Sequence, residues 1–224
     1  MALTLVIGNK NYSSWSFRGW LALAAYDIPF DEVLLPLWRD GFAEKLARYT
    51  PAGRVPVLID DDVQVWESIA IIEYLAEKFP EKHYWPHARA ARAHARTIAA
   101  EMHAGFTALR KHCPMNFWRP PGQRELPPQA AADVARIEAI WTDCRQRFGA
   151  GGPFLFGAFS AADAMYAPIV SRFVTYGVAV NATAAAYMEA MQTLPAWQQW
   201  KTAALAEPWV VAEDEVDWPT VLRP

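Results

Sequence analysis

Residues 53–69 read GRVPVLIDDDVQVWESI, with two short apolar stretches separated by three aspartates. The β-branched residues in both stretches predict strands over 54–59 and 63–66, and the aspartates predict the hairpin turn between them. From Ser68 to Phe79 the apolar residues recur at helical spacing, which predicts an amphipathic helix. A hairpin followed directly by a helix is the pattern on which the fold prediction depends.

Upstream of this hairpin the pattern alternates between strand and helix. Strands are predicted over residues 3–8 and 30–35, and helices over residues 15–26 and 41–49. Together with the hairpin and its helix, the order over residues 1–80 is β-α-β-α-β-β-α.

After residue 80 the strand pattern disappears. We predict a linker over 80–86, a single Ala- and Arg-rich helix over 88–112 and a proline-rich break over 114–128. Further helices are predicted over residues 133–148, 160–176, 182–191 and 196–206. The sequence therefore predicts an α+β protein with two domains: a mixed domain over 1–80 and an all-α domain over 87–224.

Composition excludes several classes of protein. With 224 residues, 53% of them hydrophobic and 20% charged, the chain is expected to bury a packed core. Its net charge of −3 does not favour a nucleic-acid partner. Cys113 and Cys144 form no CxxC pair, which fits a reducing compartment. The longest uncharged run, residues 173–188, is too short to span a membrane, so we interpret the chain as cytoplasmic.

Two segments carry groups suited to a small polar ligand. Ser13 and Ser14 lie at the first strand-to-helix junction, where backbone N–H groups favour an anion and a hydroxyl can donate to a thiolate or oxyanion. The same serines could serve only as a helix cap. Val55-Pro56 opens a strand, and a cis-proline there could hold a backbone segment that pairs with an extended peptide ligand. An ordinary edge proline is the alternative.

A third segment is Glu67-Ser68, at the start of the helix after the hairpin. The N–H and hydroxyl of Ser68 suit a carboxylate, and the Glu67 carboxylate suits an ammonium group. The pair thus matches the zwitterionic end of an amino acid, with simple helix capping as the alternative. The five histidines lie between residues 83 and 112 without a metal-binding spacing, so no metal site is predicted. The acidic run over residues 213–215 is interpreted as solvent-exposed surface.

Taken jointly, these segments resemble the glutathione transferase superfamily, and the resemblance covers essentially the whole chain. SSWSFR over 13–18 is similar to the SSxSxR signature of zeta-like, serine-type members. TPAGRVPVL over 50–58 resembles the NPxxxVPxL segment, and ESIAIIEYL over 67–75 resembles [EQ]SxAIxxYL. FSAAD over 159–163 resembles the buried N-capping box of the helical domain.

The resemblance implies a thioredoxin-like N-terminal domain, glutathione as co-substrate and a role for each matching residue. Ser13 would donate a hydrogen bond to the glutathione sulfur, with Ser14 and Tyr12 as rivals for that role. A serine hydroxyl cannot act as the base at neutral pH, so it would favour the thiolate by hydrogen bonding. Val55 would pair its backbone with the cysteinyl part of glutathione, and Pro56 would be cis.

At the two ends of the tripeptide, Glu67 and Ser68 would hold the γ-glutamyl group, and Arg54 would lie near the glycyl group. Ser160 and Asp163 would be structural. These roles imply a homodimeric transferase that conjugates glutathione to a small hydrophobic electrophile, bound against the long helix and residues 115–118.

Two alternatives stay open. One is a glutathione-dependent isomerase or dehalogenase, like maleylacetoacetate isomerase, and the other is a non-catalytic binding protein of the same fold. Trp15 stands where zeta enzymes that isomerise maleylacetoacetate usually carry a cysteine.

Overall fold

The strands form a four-stranded mixed sheet in residues 3–216, the part of the chain that the computed structural model describes. They are β1 (Leu3–Ile7), β2 (Phe30–Leu34), β3 (Val57–Asp60) and β4 (Val63–Trp66). The sheet order is β2-β1-β3-β4, with β1 parallel to β2 and antiparallel to β3. β3 and β4 form the predicted hairpin, which pairs Val57 with Trp66.

Three helices complete this first half: α1 (Ser14–Ala24), α2 (Phe42–Leu46) and α3 (Ser68–Lys78). Their order along the chain confirms the predicted β-α-β-α-β-β-α pattern. The mixed sheet with these helices is the thioredoxin-like unit expected from the sequence. α1 follows β1 after a six-residue loop, and α3 follows β4 after one residue. Because β1 and β4 are both antiparallel to β3, they run in the same direction, and the two helices begin at the same edge of the sheet.

The second half is helical in the described residues. Its helices are α4 (Arg89–Ala104), α5 (Thr107–His112), α6 (Pro128–Phe148), α7 (Ala161–Thr175), α8 (Ala182–Thr193) and α9 (Pro195–Leu205). Together with the sheet, they confirm the predicted α+β fold. No helix among residues 3–216 has the length and apolar character needed to cross a bilayer. The last eight residues of the predicted second domain, 217–224, lie outside the described part.

The central helix α7 links the two halves. It packs against α1 and α4, and the Arg18 Nε of α1 donates to the Met165 carbonyl of α7 at 2.9 Å. One cluster of buried apolar side chains continues from β1 through α1 and α7 to α9. The boundary over residues 80–87 stays a prediction, because this shared core does not mark it.

Two helix predictions are wrong in their bounds. The single helix expected over 88–112 is broken at Gly105-Phe106, where Phe106 has a left-handed φ of +57° and buries its ring. Glycine favours a helix end, and a Cβ at Gly105 would lie 2.8 Å from the Glu101 carbonyl oxygen. α6 begins at Pro128 rather than at Asp133, because proline lacks only an N–H that the first helical turn does not use.

Candidate functional site

A cavity of about 710 Å³ lies between the sheet half and the helical half of the chain. It is lined by all seven residues for which the sequence predicts a binding or catalytic role: Ser13, Ser14, Arg54, Val55, Pro56, Glu67 and Ser68. The fold therefore brings three segments, separated by up to 55 residues of sequence, to one place.

Ser13 is the N-cap of α1, and its hydroxyl oxygen accepts a hydrogen bond from the Ser16 backbone N–H at 3.3 Å. The Ser13 hydroxyl donates to the Ser16 hydroxyl oxygen at 2.7 Å, and that oxygen also accepts the Gly8 N–H at 3.0 Å. Ser13 therefore both caps α1 and lines the cavity. Because a serine hydroxyl is a rotatable donor, either serine of this pair can give its hydrogen to the other.

The two rivals of Ser13 differ in their hydrogen bonds. Ser14 is the first residue of α1, and its hydroxyl makes no hydrogen bond within residues 3–216. The Tyr12 hydroxyl donates to the Glu215 carboxylate, so its hydrogen already has an acceptor. The geometry therefore leaves the two serines as the stronger candidates for a sulfur contact.

The loop before α1 is held in place by the C-terminal part of the chain. The Glu207 carboxylate accepts the backbone N–H groups of Lys10 at 2.6 Å and Asn11 at 3.0 Å. The Trp200 indole N–H donates to the Lys10 carbonyl at 3.0 Å. These contacts position the serines from a distance of nearly 200 residues, and no local pattern could have identified them.

The Val55-Pro56 peptide bond is cis, as the family resemblance implies. Gly19 of α1 faces Pro56, and a Cβ at Gly19 would lie 3.3 Å from the Pro56 Cγ. The close approach of α1 to this segment therefore fits a glycine. Val55 itself is half-buried at the cavity wall.

Glu67 and Ser68 form the N-terminal end of α3. Ser68 is fully buried, and its hydroxyl lies 3.8 Å from the Met165 sulfur. The Glu67 side chain is 42% exposed, with one carboxylate oxygen 3.5 Å from His103 Nε2 and the other 4.0 Å from Arg54 Nη1. Arg54 is 81% exposed at the rim. The Glu67 carboxylate thus remains open to a cation that enters the cavity.

His103, near the end of α4, is a neighbour of the site that sequence reasoning missed. Its ring meets the Trp15 indole edge-on, with centroids 5.1 Å apart, and its buried Nδ1 has no hydrogen-bond partner within the described part. Burial lowers the pKa of His103, and the Glu67 carboxylate offsets part of that effect. A histidine on an Ala/Arg-rich helix carries no sequence signal for this position.

Three arginines, Arg18 of α1, Arg110 of α5 and Arg172 of α7, form a cluster where α1 meets the helical half, and sequence reasoning also missed their grouping. The guanidinium groups of Arg18 and Arg110 both contact the Trp15 ring, at 4.3 Å and 4.6 Å from its centroid. The Arg172 Nε donates to the Cys113 carbonyl at 2.8 Å. Burial is the main cause of the lowered pKa of each arginine, and brings that of Arg172 to about 10.

The acidic run over residues 213–215 is not simple solvent-exposed surface, so that prediction is wrong. Glu215 accepts hydrogen bonds from the Tyr12 hydroxyl and from Asn116 Nδ2, and Asp214 lines the cavity. Burial raises the pKa of Asp214 to about 6. Asp214 and Glu215 are partly covered because residues 206–216 fold back over the site, which charge content alone does not reveal.

Apolar side chains line the remaining wall of the cavity: Leu37, Trp38, Phe42, Pro114, Met115 and Val211. Of the predicted second-substrate residues 115–118, Met115 lines the cavity. Phe117 instead packs in the core, edge-on to Phe17 with centroids 5.9 Å apart. The cavity therefore has a polar end at Glu67 and Ser68, apolar side chains from both halves of the chain, and cationic side chains on the helical side.

Both halves of the chain match known protein families. Residues 12–78 match the family described as the N-terminal domain of glutathione S-transferase, and residues 127–200 match its C-terminal domain. A probable maleylacetoacetate isomerase of Caenorhabditis elegans is 35% identical over 97 residues, which are 43% of this chain and 45% of that protein. This match thus spans less than half the length of the nematode relative.

Two further relatives match over most of the chain. Human glutathione S-transferase theta-1 is 28% identical over 190 residues, which are 81% of this chain and 75% of that protein. A glutathione transferase homolog from Burkholderia, solved with bound glutathione, superposes with a TM-score of 0.69 at 23% identity. The superposition covers 92% of this chain and all of the other, and shows that the two share a fold.

Proposed function

The chain belongs to the glutathione S-transferase family, and we propose that it binds glutathione in this cavity and transfers its sulfur to a small electrophile. The observation that carries the proposal is the cavity itself, which gathers the N-terminus of α1, the Val55-Pro56 segment and the Glu67-Ser68 pair. Each of them supplies a group complementary to a different part of one tripeptide.

In this arrangement the γ-glutamyl ammonium pairs with Glu67, and its carboxylate accepts from Ser68 at the N-terminus of α3. The Val55 backbone pairs with the cysteinyl residue. The exposed Arg54 side chain leaves its 4.0 Å contact with Glu67 to pair with the glycyl carboxylate. The sulfur then lies beside Ser13 at the N-terminus of α1. Glutathione carries two carboxylates and one ammonium group, so this placement opposes each of its charges with a suitable partner.

The chemical task of the site is to ionise the thiol. A thiol of pKa about 8.5 is mostly protonated at neutral pH, whereas the thiolate is the nucleophile. We assign Ser13 as the hydrogen-bond donor to the thiolate, because Ser16 can direct its own hydroxyl hydrogen to Ser13 Oγ. Each unit of pKa lowering requires about 1.4 kcal/mol of differential stabilisation.

The isomerase alternative has support in the similarity to the nematode maleylacetoacetate isomerase. Isomerisation would use the same thiolate but regenerate glutathione, and hydrolytic dehalogenation, in which water replaces the halide, would also return it. Measuring glutathione consumed per product formed separates the reactions: transfer consumes one glutathione per turnover, and the alternatives consume none. Tight glutathione binding without turnover of any electrophile would favour a non-catalytic binding protein.

We further propose that the protein acts in the cytoplasm as a homodimer. Both cysteines are buried free thiols, as suits a reducing compartment. The edge strand β4 exposes Val63 and Trp66, which are 40% and 41% accessible and suit contact with a second copy. Sedimentation of the full chain tests the assembly, and a monomer at micromolar concentration would contradict it.

Glu67→Gln is expected to raise the dissociation constant of glutathione about tenfold while changing the turnover number little. The substitution removes a charge that contacts the remote ammonium group, so it affects ground state and transition state alike. Glu73→Gln is the matched control, because Glu73 lies on the same helix and pairs with Arg96 instead. Calorimetry with glutathione and steady-state kinetics test both variants. A large fall in turnover number with unchanged affinity would contradict the role of Glu67.

A further inference from the structure

Within the described residues, no carboxylate forms an ion pair with the arginine cluster. Arg110 and Arg172 line the cavity, and Arg18 lies behind the Trp15 ring with its Nη1 and Nη2 buried and unpartnered within residues 3–216. In the same described part of the chain, no carboxylate oxygen comes within 4.0 Å of a nitrogen of these arginines. Buried cations are ordinarily paired, since an uncompensated charge is costly to remove from water.

The nearby acidic residues do not fill this role. Glu213 is exposed, and Glu215 accepts from the Tyr12 hydroxyl and Asn116 Nδ2. Asp214 is a half-buried carboxylate at the cavity wall. Its negative charge is attracted to the positive charge of Arg172, but the two groups form no direct ion pair. The helical end of the cavity thus keeps an excess of positive charge.

We propose that the electrophile itself is an anion: a small apolar molecule whose carboxylate binds between Arg110 and Arg172 at the helical end of the cavity. The proposal deepens the proposed transferase function and rests on it. Pro114 and Met115 would contact the apolar body, and the guanidinium groups would orient the reactive carbon toward the sulfur. This differs from the purely hydrophobic electrophile that the sequence predicts.

Glutathione does not account for the cluster, because its charges have partners on the other side of the cavity. Its γ-glutamyl carboxylate is assigned to Ser68 and its glycyl carboxylate to Arg54, both on the sheet half. Arg110 lies on α5 and Arg172 on α7, in the helical half. The cluster is therefore available to the second substrate.

A matched pair of electrophiles tests the proposal: 4-chloro-3-nitrobenzoate, which is anionic, and 4-chloro-3-nitrobenzamide, which is neutral and of similar size. In each reaction the thiolate sulfur forms a bond to the ring carbon, and chloride leaves with the electron pair of the carbon–chlorine bond. The thiol proton goes to solvent, so the products are the thioether, chloride and a proton. Dividing each kcat/KM by the uncatalysed rate constant corrects for the different reactivity of the two rings.

Arg110→Gln is expected to lower the corrected preference for the benzoate over the benzamide by ten- to a hundredfold, because one charge-assisted contact is lost. Arg110→Lys, which keeps the positive charge, should retain part of the preference for the benzoate. Lys111→Gln is the matched control, since it removes the same charge from the exposed neighbouring residue and should leave the preference unchanged. Asp214→Asn should raise the preference, because it removes a competing negative charge.

Several outcomes would overturn the proposal and identify another role for the cluster. An equal loss of activity toward both electrophiles would assign Arg110 to thiolate stabilisation, and a raised KM for glutathione would assign it to binding of the tripeptide.

A second experiment, which does not depend on turnover, measures by calorimetry the binding of 3-nitrobenzoate and 3-nitrobenzamide to the protein saturated with S-methylglutathione. If neither electrophile reacts but Arg110→Gln weakens nitrobenzoate binding alone, the anion site stands and the transferase function fails. Equal binding of both ligands would refute the anion site.

Discussion

Asp163→Ala is expected to lower the free energy of unfolding by about 3–4 kcal/mol, which is a large fraction of the stability of a typical domain. Asp163 is fully buried at the third position of α7. One carboxylate oxygen accepts the Ser160 N–H at 2.8 Å and the Ser160 hydroxyl at 2.7 Å, and the other accepts the Leu155 N–H at 3.1 Å. Removing the carboxylate leaves these donors buried without an acceptor.

Denaturant unfolding of the wild type, Asp163→Ala and Ser160→Ala measures this effect. Ser160→Ala should cost less, about 1–2 kcal/mol, because the two backbone donors keep their acceptor. Glutathione affinity of folded Asp163→Ala should stay near the wild-type value, since the box lies outside the cavity lining. If Asp163→Ala and the wild type unfold at the same denaturant concentration, the capping box formed by Ser160 and Asp163 does not stabilise the protein.

The same carboxylate predicts a pH dependence of stability. Burial raises the pKa of Asp163 to about 6, above the value of about 3.9 expected in the unfolded chain. Between these values the folded state binds more protons than the unfolded state, so this group makes stability fall as pH rises from 4 to 6. Asp163→Asn should remove that part of the slope.

Ser13→Ala is expected to lower kcat/KM for conjugation at neutral pH by about ten- to a hundredfold, the value of one charge-assisted hydrogen bond to the thiolate. The loss should shrink at high pH, where the thiol ionises without help. Because Ser13 also caps α1, its removal should destabilise the protein by about 1 kcal/mol as well. Activity measured well below the unfolding temperature separates the two effects.

Ser14→Ala and Tyr12→Phe are the controls for this assignment. Ser14 shares the helix terminus without capping it, and the Tyr12 hydroxyl is bonded to Glu215. If Ser14→Ala lowers activity at neutral pH and Ser13→Ala does not, the sulfur contact belongs to Ser14. If only Tyr12→Phe lowers it, the serine-type mechanism is wrong.

Much of the fold and the polar end of the site could be predicted because their signals are local. The hairpin and the α3 helix show in the spacing of apolar residues, and Val55-Pro56 and Glu67-Ser68 lie at the predicted element starts. Ser13 likewise shows in the junction between β1 and α1. Each of these patterns is formed by residues close together in the sequence, so it can be recognised without knowing the fold.

The helical end of the site could not be predicted, because tertiary packing alone brings its residues together. Arg110, Arg172 and Asp214 come from separate segments, and none lies in a distinctive motif. The break at Gly105-Phe106 separates α4 from α5, and a single glycine is its only signal in the sequence. His103 reaches Glu67 through the same packing.

The central claim is that the cavity binds glutathione and stabilises its thiolate at the start of α1. Titrating the ultraviolet absorbance of the thiolate in the glutathione complex against pH tests it directly, with free glutathione and the Ser13→Ala complex measured in parallel. We expect the bound thiol to titrate at least about one pH unit below a free thiol of pKa about 8.5, and Ser13→Ala to remove most of that shift. A bound thiol that titrates at the same pH as free glutathione would contradict the account.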